Sequence, residues 1–347
     1  MALGDKREVV KMLSKKENYL KCMRGEVPEW VPTLMMGMGF GGEVPSDIVV
    51  EPSIVTEHRI RGGGLDIWGV EYVPTESTGN ALIPKTSDFI LDDIRRWRDV
   101  IKAPDLSGID WEEMCKNDFR RLKIDQSQSA IIMLLHMGYF QTLMSFMGFT
   151  NGLCAMYEEP EEVKALLEYL CDFYCEVASR YIDYASPDVW GTADDTAAWA
   201  NPFISADMYR EFLIPLYDRQ LKFGRDRGLP VSMHNCGKSA CFLDDLTMIG
   251  VTEWNPAQTC NDLAAVKKKF GNKLVITGGW DARGRLLDDD VTYGEIYDSI
   301  KCQMDMLAPG GGYCFCGGFM GALGDKRSFE KNMMVRRAVE ELSHTYY

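Results

Sequence analysis

The run "DVWGTADDTAAWANPFISADMYREFLIPLYDRQLKFGRDRGLPVSMHNCG", residues 188–237, reads as a strand, a helix and a second strand. DVWGTADD is short, apolar and ends on two aspartates. SADMYREFLIPLYDRQLKFGRDRG follows with apolar residues at helical spacing, and PVSMHNCG is a buried strand that stops on a histidine and a cysteine. A strand, one helix and another strand imply parallel pairing with a right-handed crossover.

The same rhythm extends in both directions. Upstream, KREVVKMLSKKENYLKCMRGE is an amphipathic helix, WVPTLMMGMGF a buried strand, AIIMLLHMG a strand and EEPEEVKALLEYLCDFYCEVASRYIDYA a long helix with an acidic first turn. Downstream, ACFLDDLTMIG, VTEWNP, DLAAVKKKFG, KLVITGGWD, TYGEIYDSIKCQMDML, GGYCFCGG and KRSFEKNMMVRRAVEEL alternate helix and strand. Counting units to eight predicts a single (β/α)8 TIM barrel over residues 1–347. It has an N-terminal helical extension at 1–28 and an irregular insertion at 43–85, after the first strand, with short strands around IWGVEYVP and ALIP.

Active sites of such barrels lie at the carboxyl ends of the strands. Several proposed strand ends carry chemistry: His136 with Tyr139, Asp194 with Asp195, His234 with Cys236, Asn255 with Gln258, and Cys314 with Cys316. In a strand, residues two apart share a face, so His234 and Cys236 address one point while Asn235 turns away. Imidazole nitrogen and thiolate sulfur suit zinc, at about 2.0 to 2.3 Å, with one position left open in catalytic sites. Cys316, ending the last strand, is the expected third ligand.

Composition limits partners. A formal charge of -14 disfavours nucleic acid, anionic membrane and a polyanionic substrate. No apolar run reaches the roughly 18 residues of a membrane span, and MALGDKREVV lacks a signal-peptide layout, so a soluble, cytoplasmic protein is expected. The eleven cysteines are scattered and odd in number, which reads as reduced thiols. The glycine runs at 62–64, 278–279 and 310–312 lack the setting of a nucleotide loop.

Residues 194–237 resemble the uroporphyrinogen decarboxylase superfamily, in its corrinoid-dependent methyltransferase branch. The likeness rests on the acidic pair, the P-x-x-S-x-x-x-Y-R-E-F segment from Pro202 to Phe212 and the H-x-C-G strand end, in that order. KKENYLKCMRGEVPEWVP and GGYCFCGG resemble the family's flanking segments. The resemblance implies a (β/α)8 barrel, zinc held by the H-x-C pair and a distant cysteine, and a corrinoid (cobalamin) carried by a partner protein. The family's distant cysteine aligns near Phe319, three residues after Cys316.

The family's decarboxylases grip a polyanion with arginines after the first strand, where this chain reads MMGMGFGG without a cation. Met36, Met38 and Phe40, with Trp199, Asn255 and Trp280, are therefore the expected substrate contacts, for an apolar or aromatic molecule. The expected reaction moves a methyl group from a small methylated donor, an aromatic methyl ether, to the Co(I) corrinoid. Methylation of a coenzyme M-type thiol is the alternative, followed by decarboxylation and by a non-catalytic barrel that docks a corrinoid protein. One of Asp194 and Asp195 should enter the pocket for proton delivery while the other caps a neighbouring segment, and Tyr139 or His136 would donate to the leaving oxygen. The sequence leaves a homodimer open.

Overall fold

The computed structural model describes residues 12–34, 44–75, 81–135, 138–321 and 325–347. Its centre is a seven-stranded, wholly parallel sheet: β1 (Asp47–Val50), β5 (Ala130–Leu135), β6 (Val189–Ala193), β7 (Val231–His234), β8 (Glu253–Ala257), β9 (Val275–Gly279) and β10 (Tyr313–Cys316), hydrogen-bonded in that order. An eighth segment joins the free flank of β10. Thr33 forms a parallel bridge with Phe315, Leu34 N–H donates to Phe315 O at 2.9 Å, and Ser46 Oγ, just before β1, donates to Thr33 O at 2.8 Å. The sheet thus curls into a TIM-barrel-like fold.

Side chains alternate across it as the strand period requires. On β5, Ala130 and Ile132 point into the barrel, whereas Ile131, Met133 and Leu135 join the large apolar layer beneath the helices. That layer is closely packed: Trp190 on β6 is fully buried, and a Cβ on Gly224 would lie only 2.4 Å from the Trp190 Cβ. Burial of each such side chain contributes roughly 1.5–3 kcal/mol.

Helix α1 (Lys15–Met23) starts with a capping box, Ser14 to Glu17, and buries Tyr19, Leu20, Cys22 and Met23. They pack on Ala130, Val189 and Val275, the first residues of β5, β6 and β9, so α1 closes the amino end of the barrel. The carboxyl ends, on the opposite side, remain for chemistry.

Three elements depart from the sequence reading. The insertion expected at 43–85 has its short strands where IWGVEYVP and ALIP placed them, β3 (Glu71–Thr75) and β4 (Ala81–Pro84), paired antiparallel with β2 (Gly64–Leu65), but it also contributes the barrel strand β1 and helix α2 (Ser53–Ile60), which were not expected. Beyond it lie α3 (Trp97–Val100) and α4 (Trp111–Leu122). The second departure is α5 (Tyr139–Glu158), which precedes the long α6 (Pro160–Ala185). The third is the helix expected over 205–228, which is two: α7 (Ala206–Phe212) and α8 (Ile214–Arg225), with Pro215 in the first turn of α8. The rest follows the expected alternation: α9 (Leu243–Met248), α10 (Leu263–Phe270), α11 (Tyr293–Leu307) and α12 (Lys326–Ser343).

Candidate metal centre

Strands β6 and β7 are hydrogen-bonded neighbours, with Ala193 paired to His234. Continuing β6 by two residues brings Asp195 onto the inward face, and continuing β7 by two brings Cys236 there. Asp195, His234 and Cys236 accordingly cluster, each offering a ligand atom within 4.8 Å of the others, the one such group among the described residues. His234 Nε2 lies 3.6 Å from Cys236 Sγ and 3.9 Å from Asp195 Oδ1. Bond lengths of about 2.0–2.3 Å at a tetrahedral ion put ligand atoms roughly 3.3–3.8 Å apart, so this nitrogen, sulfur and oxygen set is close to what zinc requires.

Neighbouring groups fix the cluster. Cys236 N–H donates to Asp195 Oδ1 at 2.8 Å, Gln141 Nε2 donates to Asp195 Oδ2 at 3.3 Å, and Gly237 N–H donates to Gln258 Oε1 at 2.6 Å. Asn255 Oδ1 is 2.8 Å from His234 Nδ1. Burial, then the adjacent Asp195 carboxylate, then Asp281 push the Cys236 thiol well above the usual range. A dication seated among these groups would reverse that repulsion.

The adjacent aspartates divide as strand parity demands. Asp194 turns outward and is fully buried. It accepts from the N–H groups of Phe140 (2.8 Å) and Gln141 (3.0 Å), at the otherwise uncapped start of α5, and from the Tyr217 hydroxyl (2.6 Å). Burial raises its carboxyl to about 6 against these donors. Asp194 is therefore the cap and Asp195 the inward group.

Other expected site residues fall elsewhere. Cys316 lies outside the cluster, because β10 is three strands from β7; it sits in the barrel interior, where burial and the charges of Asp47 and Glu253 push its thiol to about 12. Cys314 is buried deeper on the same face. Tyr139, expected as a proton donor, is corrected: it is fully buried beneath the helices, and its hydroxyl donates to Gln220 Oε1 at 2.9 Å. Trp280 is also turned away, packed on Phe315 and Phe319 with its Nε1 donating to Ser299 Oγ at 3.0 Å. Asn255 holds His234 and is 7% exposed, which leaves it little surface for a substrate. Trp199 is half-buried on the rim, with the Arg283 guanidinium stacked 3.1 Å from its ring centroid. Met36, Met38, Phe40 and His136 lie outside the described residues.

Sequence reasoning missed two groups. Asp281, just after β9, accepts from the N–H and the hydroxyl of Thr259, both at 2.7 Å. Its signal was available, since it ends KLVITGGWD as Asp195 ends DVWGTADD. Ser232, inward on β7 beneath His234, carried no signal of its own.

Residues 111–315, more than half of the chain, match the family described as uroporphyrinogen decarboxylase (URO-D). No curated protein matches the sequence. Among solved structures, a methyltransferase from Methanosarcina mazei superposes with a TM-score of 0.65 at 14% identity, covering 95% of this chain and 99% of that one. A protein described as a vitamin-B12-independent methionine synthase, from Listeria monocytogenes, gives a TM-score of 0.44 at 10% identity, covering 70% of this chain and 72% of that one. The first likeness extends the shared fold over nearly the full length. With the family match spanning the barrel from α4 to β10, the chain belongs to the uroporphyrinogen decarboxylase (URO-D) family.

Proposed function

We propose that this chain is a zinc-dependent methyltransferase that passes a methyl group from a small methylated donor, an aromatic methyl ether, to the Co(I) corrinoid of a partner protein. The observation that carries the reading is the Asp195–His234–Cys236 cluster at the carboxyl ends of adjacent strands. These three residues would hold the ion. Zinc, when bound, supplies a Lewis acid for the ether oxygen. The carbon–oxygen bond of the donor breaks, its methyl group passes to cobalt, and the phenolate leaves to take a proton from solvent. Trp199, stiffened by Arg283, offers a flat face for the ring. The stretch at 35–42 supplies no cation for a polycarboxylate, which counts against decarboxylation. Thiol methylation in the coenzyme M manner is the second reading, favoured by the cation that Arg283 places on the rim.

The test is incubation of the zinc-loaded protein with a reduced corrinoid protein and a panel of methoxyaromatics. Methylation of the cobalt, followed by absorption, is the expected result; methylation of coenzyme M with no ether cleavage would establish the second reading instead. Cys236→Ala should lose bound zinc sharply while keeping its fold, Asp195→Asn should weaken it, and Cys316→Ala should retain it. Zinc content unchanged in Cys236→Ala would sink the metal assignment, and loss in Cys316→Ala alone would return the third place to that cysteine.

A further inference from the structure

Two amide side chains from the loop after β8 clasp the turn that follows Cys236, and backbone groups fix which end of each amide faces it. Asn261 Oδ1 accepts from Ala240 N–H at 3.0 Å, while its Nδ2 donates to Gly237 O at 2.9 Å and to Gln258 O at 3.0 Å. Gln258 Oε1 accepts from Gly237 N–H at 2.6 Å. A backbone N–H can only donate and a carbonyl can only accept, so neither amide can be turned end for end. Asn261 has both ends engaged. Gln258 has only its oxygen engaged, and its Nε2 has no hydrogen-bond partner among the described residues.

That spare NH2 group stands beside the cluster. The N–H of Cys236 reaches Asp195 on the β6 side, and the N–H of the next residue, Gly237, reaches Gln258 on the β8 side. Nε2 and Oε1 share one carbon, so the NH2 stays within a few ångströms of the Gly237 nitrogen. Gln258 is half-buried, and the residue after it is tied down, because the N–H and the hydroxyl of Thr259 both donate to Asp281 Oδ2 at 2.7 Å. An un-ionised amide donates at any pH, and one already held in place needs no reordering when charge appears next to it.

We propose that Gln258 is a catalytic residue whose Nε2 donates a hydrogen bond to the oxygen of the methyl ether, where negative charge grows as the carbon–oxygen bond breaks. No proton changes hands. The bonding pair stays on the oxygen as phenolate, and the methyl carbon forms its new bond with an electron pair of Co(I). The proposal rests on ether cleavage being the reaction. One donor aimed at such an oxygen contributes about 100–1000-fold in rate.

Gln258→Glu and Gln258→Met test it, with zinc content measured first. Glutamate keeps an acceptor for Gly237 N–H but has no NH2; methionine is neutral and lacks both. On methoxybenzenes of graded phenol acidity, both variants should cleave ethers of the least acidic phenols about 100–1000-fold more slowly than the parent. The loss should shrink as the phenol becomes more acidic, since a better leaving group needs the hydrogen bond less. Quenching of tryptophan fluorescence supplies a readout apart from turnover. Gln258→Met should bind 4-nitrophenolate about 10–100-fold more weakly and nitrobenzene as the parent does. Should Gln258→Met lose its zinc, Gln258→Glu carries the rate series alone. Uniform slowing across the series, equal weakening of both ligands, or parent-like rates in Gln258→Glu would overturn the proposal and leave Gln258 a prop for the turn. A parent that cleaves no ether would refute the reaction itself, and the proposal with it.

Discussion

Asp194 and Asp195 are identical in chemistry and adjacent in sequence, yet one is structural and the other faces the cluster, because successive strand residues point to opposite sides. That split was legible in the sequence, but which aspartate turned inward depended on the register of β6, which only the pairing of Ala193 with His234 settles. Asp194→Ala would strip three donors of a charged acceptor, so a loss of about 3–5 kcal/mol is expected in denaturant unfolding, whereas Asp195→Asn should change stability by less than about 0.5 kcal/mol. Equal losses would contradict the division. Two buried groups near β3 carry a further prediction. His58, packed on Tyr72 with neither nitrogen hydrogen-bonded among the described residues, is held by burial down to about 4, and Asp66 is raised by burial to about 6. Between these values the unfolded chain binds more protons at His58 than the folded protein does, so its contribution to stability falls as pH drops through about 6.5 toward 4. For Asp66 the folded protein binds more, so its contribution rises as pH drops from about 6 toward 4. The two oppose one another. Relative to the parent, His58→Phe should gain stability as pH falls through that window and Asp66→Asn should lose it; parallel pH profiles for all three proteins would show that neither group titrates as described.

The elements that sequence reading found are those with contrast between their faces or firm punctuation at their ends, such as α6, α11 and the strands β5 to β10. Helix α4 was passed over despite both signals, Asp110 capping its start and Lys123 its left-handed end; α5 and β1 lack one or the other. Helix α5 buries Tyr139, Phe140, Leu143, Phe146 and Met147 around most of its circumference, so no polar stripe marks its period, and its backbone breaks at Gly148, where φ is +76°. DIVV of β1 is four residues long and sits among loops, too brief for periodicity to speak. The break between α7 and α8 was written in Pro215, although a proline can also be accommodated in a kinked helix. The loops that finish the site depend on one glycine. Gly237, after Cys236, has φ +77°, and a Cβ there would lie 2.3 Å from the Ala197 carbonyl oxygen, while the next residue, Lys238, donates its N–H to Ala198 O at 2.9 Å. Both the strain and the clash fall on backbone, which cannot swing aside. Gly237→Ala should therefore cost about 1–3 kcal/mol and weaken zinc binding, since the shifted loop carries Cys236 with it. Unaltered zinc affinity in this variant would show that the loop adjusts without moving the thiol.

Across the whole molecule, the apolar layer under the helices is one connected cluster running from Val31 to Leu342, and a second fills the barrel interior around α1. Segments far apart in sequence thus share a core: Cys22 of α1 donates its thiol to the carbonyl of Tyr313 on β10, and Val31 N–H donates to Ser343 O at 3.1 Å. Among the described residues such contacts tie segments near both ends of the chain to the barrel, and residues 1–347 are proposed to act as one domain. Tyr19 probes this, because its ring is buried among α1, the strand starts and Cys314, while its hydroxyl has no hydrogen-bond partner among the described residues. Removing the ring in Tyr19→Ala should cost about 3–5 kcal/mol through lost burial and a cavity, whereas Tyr19→Phe should leave stability equal or up to about 1–2 kcal/mol higher by deleting the unsatisfied oxygen. If the barrel is one cooperative unit, Tyr19→Ala will shift the loss of helical circular dichroism and the change in tryptophan fluorescence together, although Tyr19 lies at the opposite end from the cluster. Separate transitions, with only the fluorescence or only the helical signal displaced, would show that α1 and the mouth belong to independently stable parts.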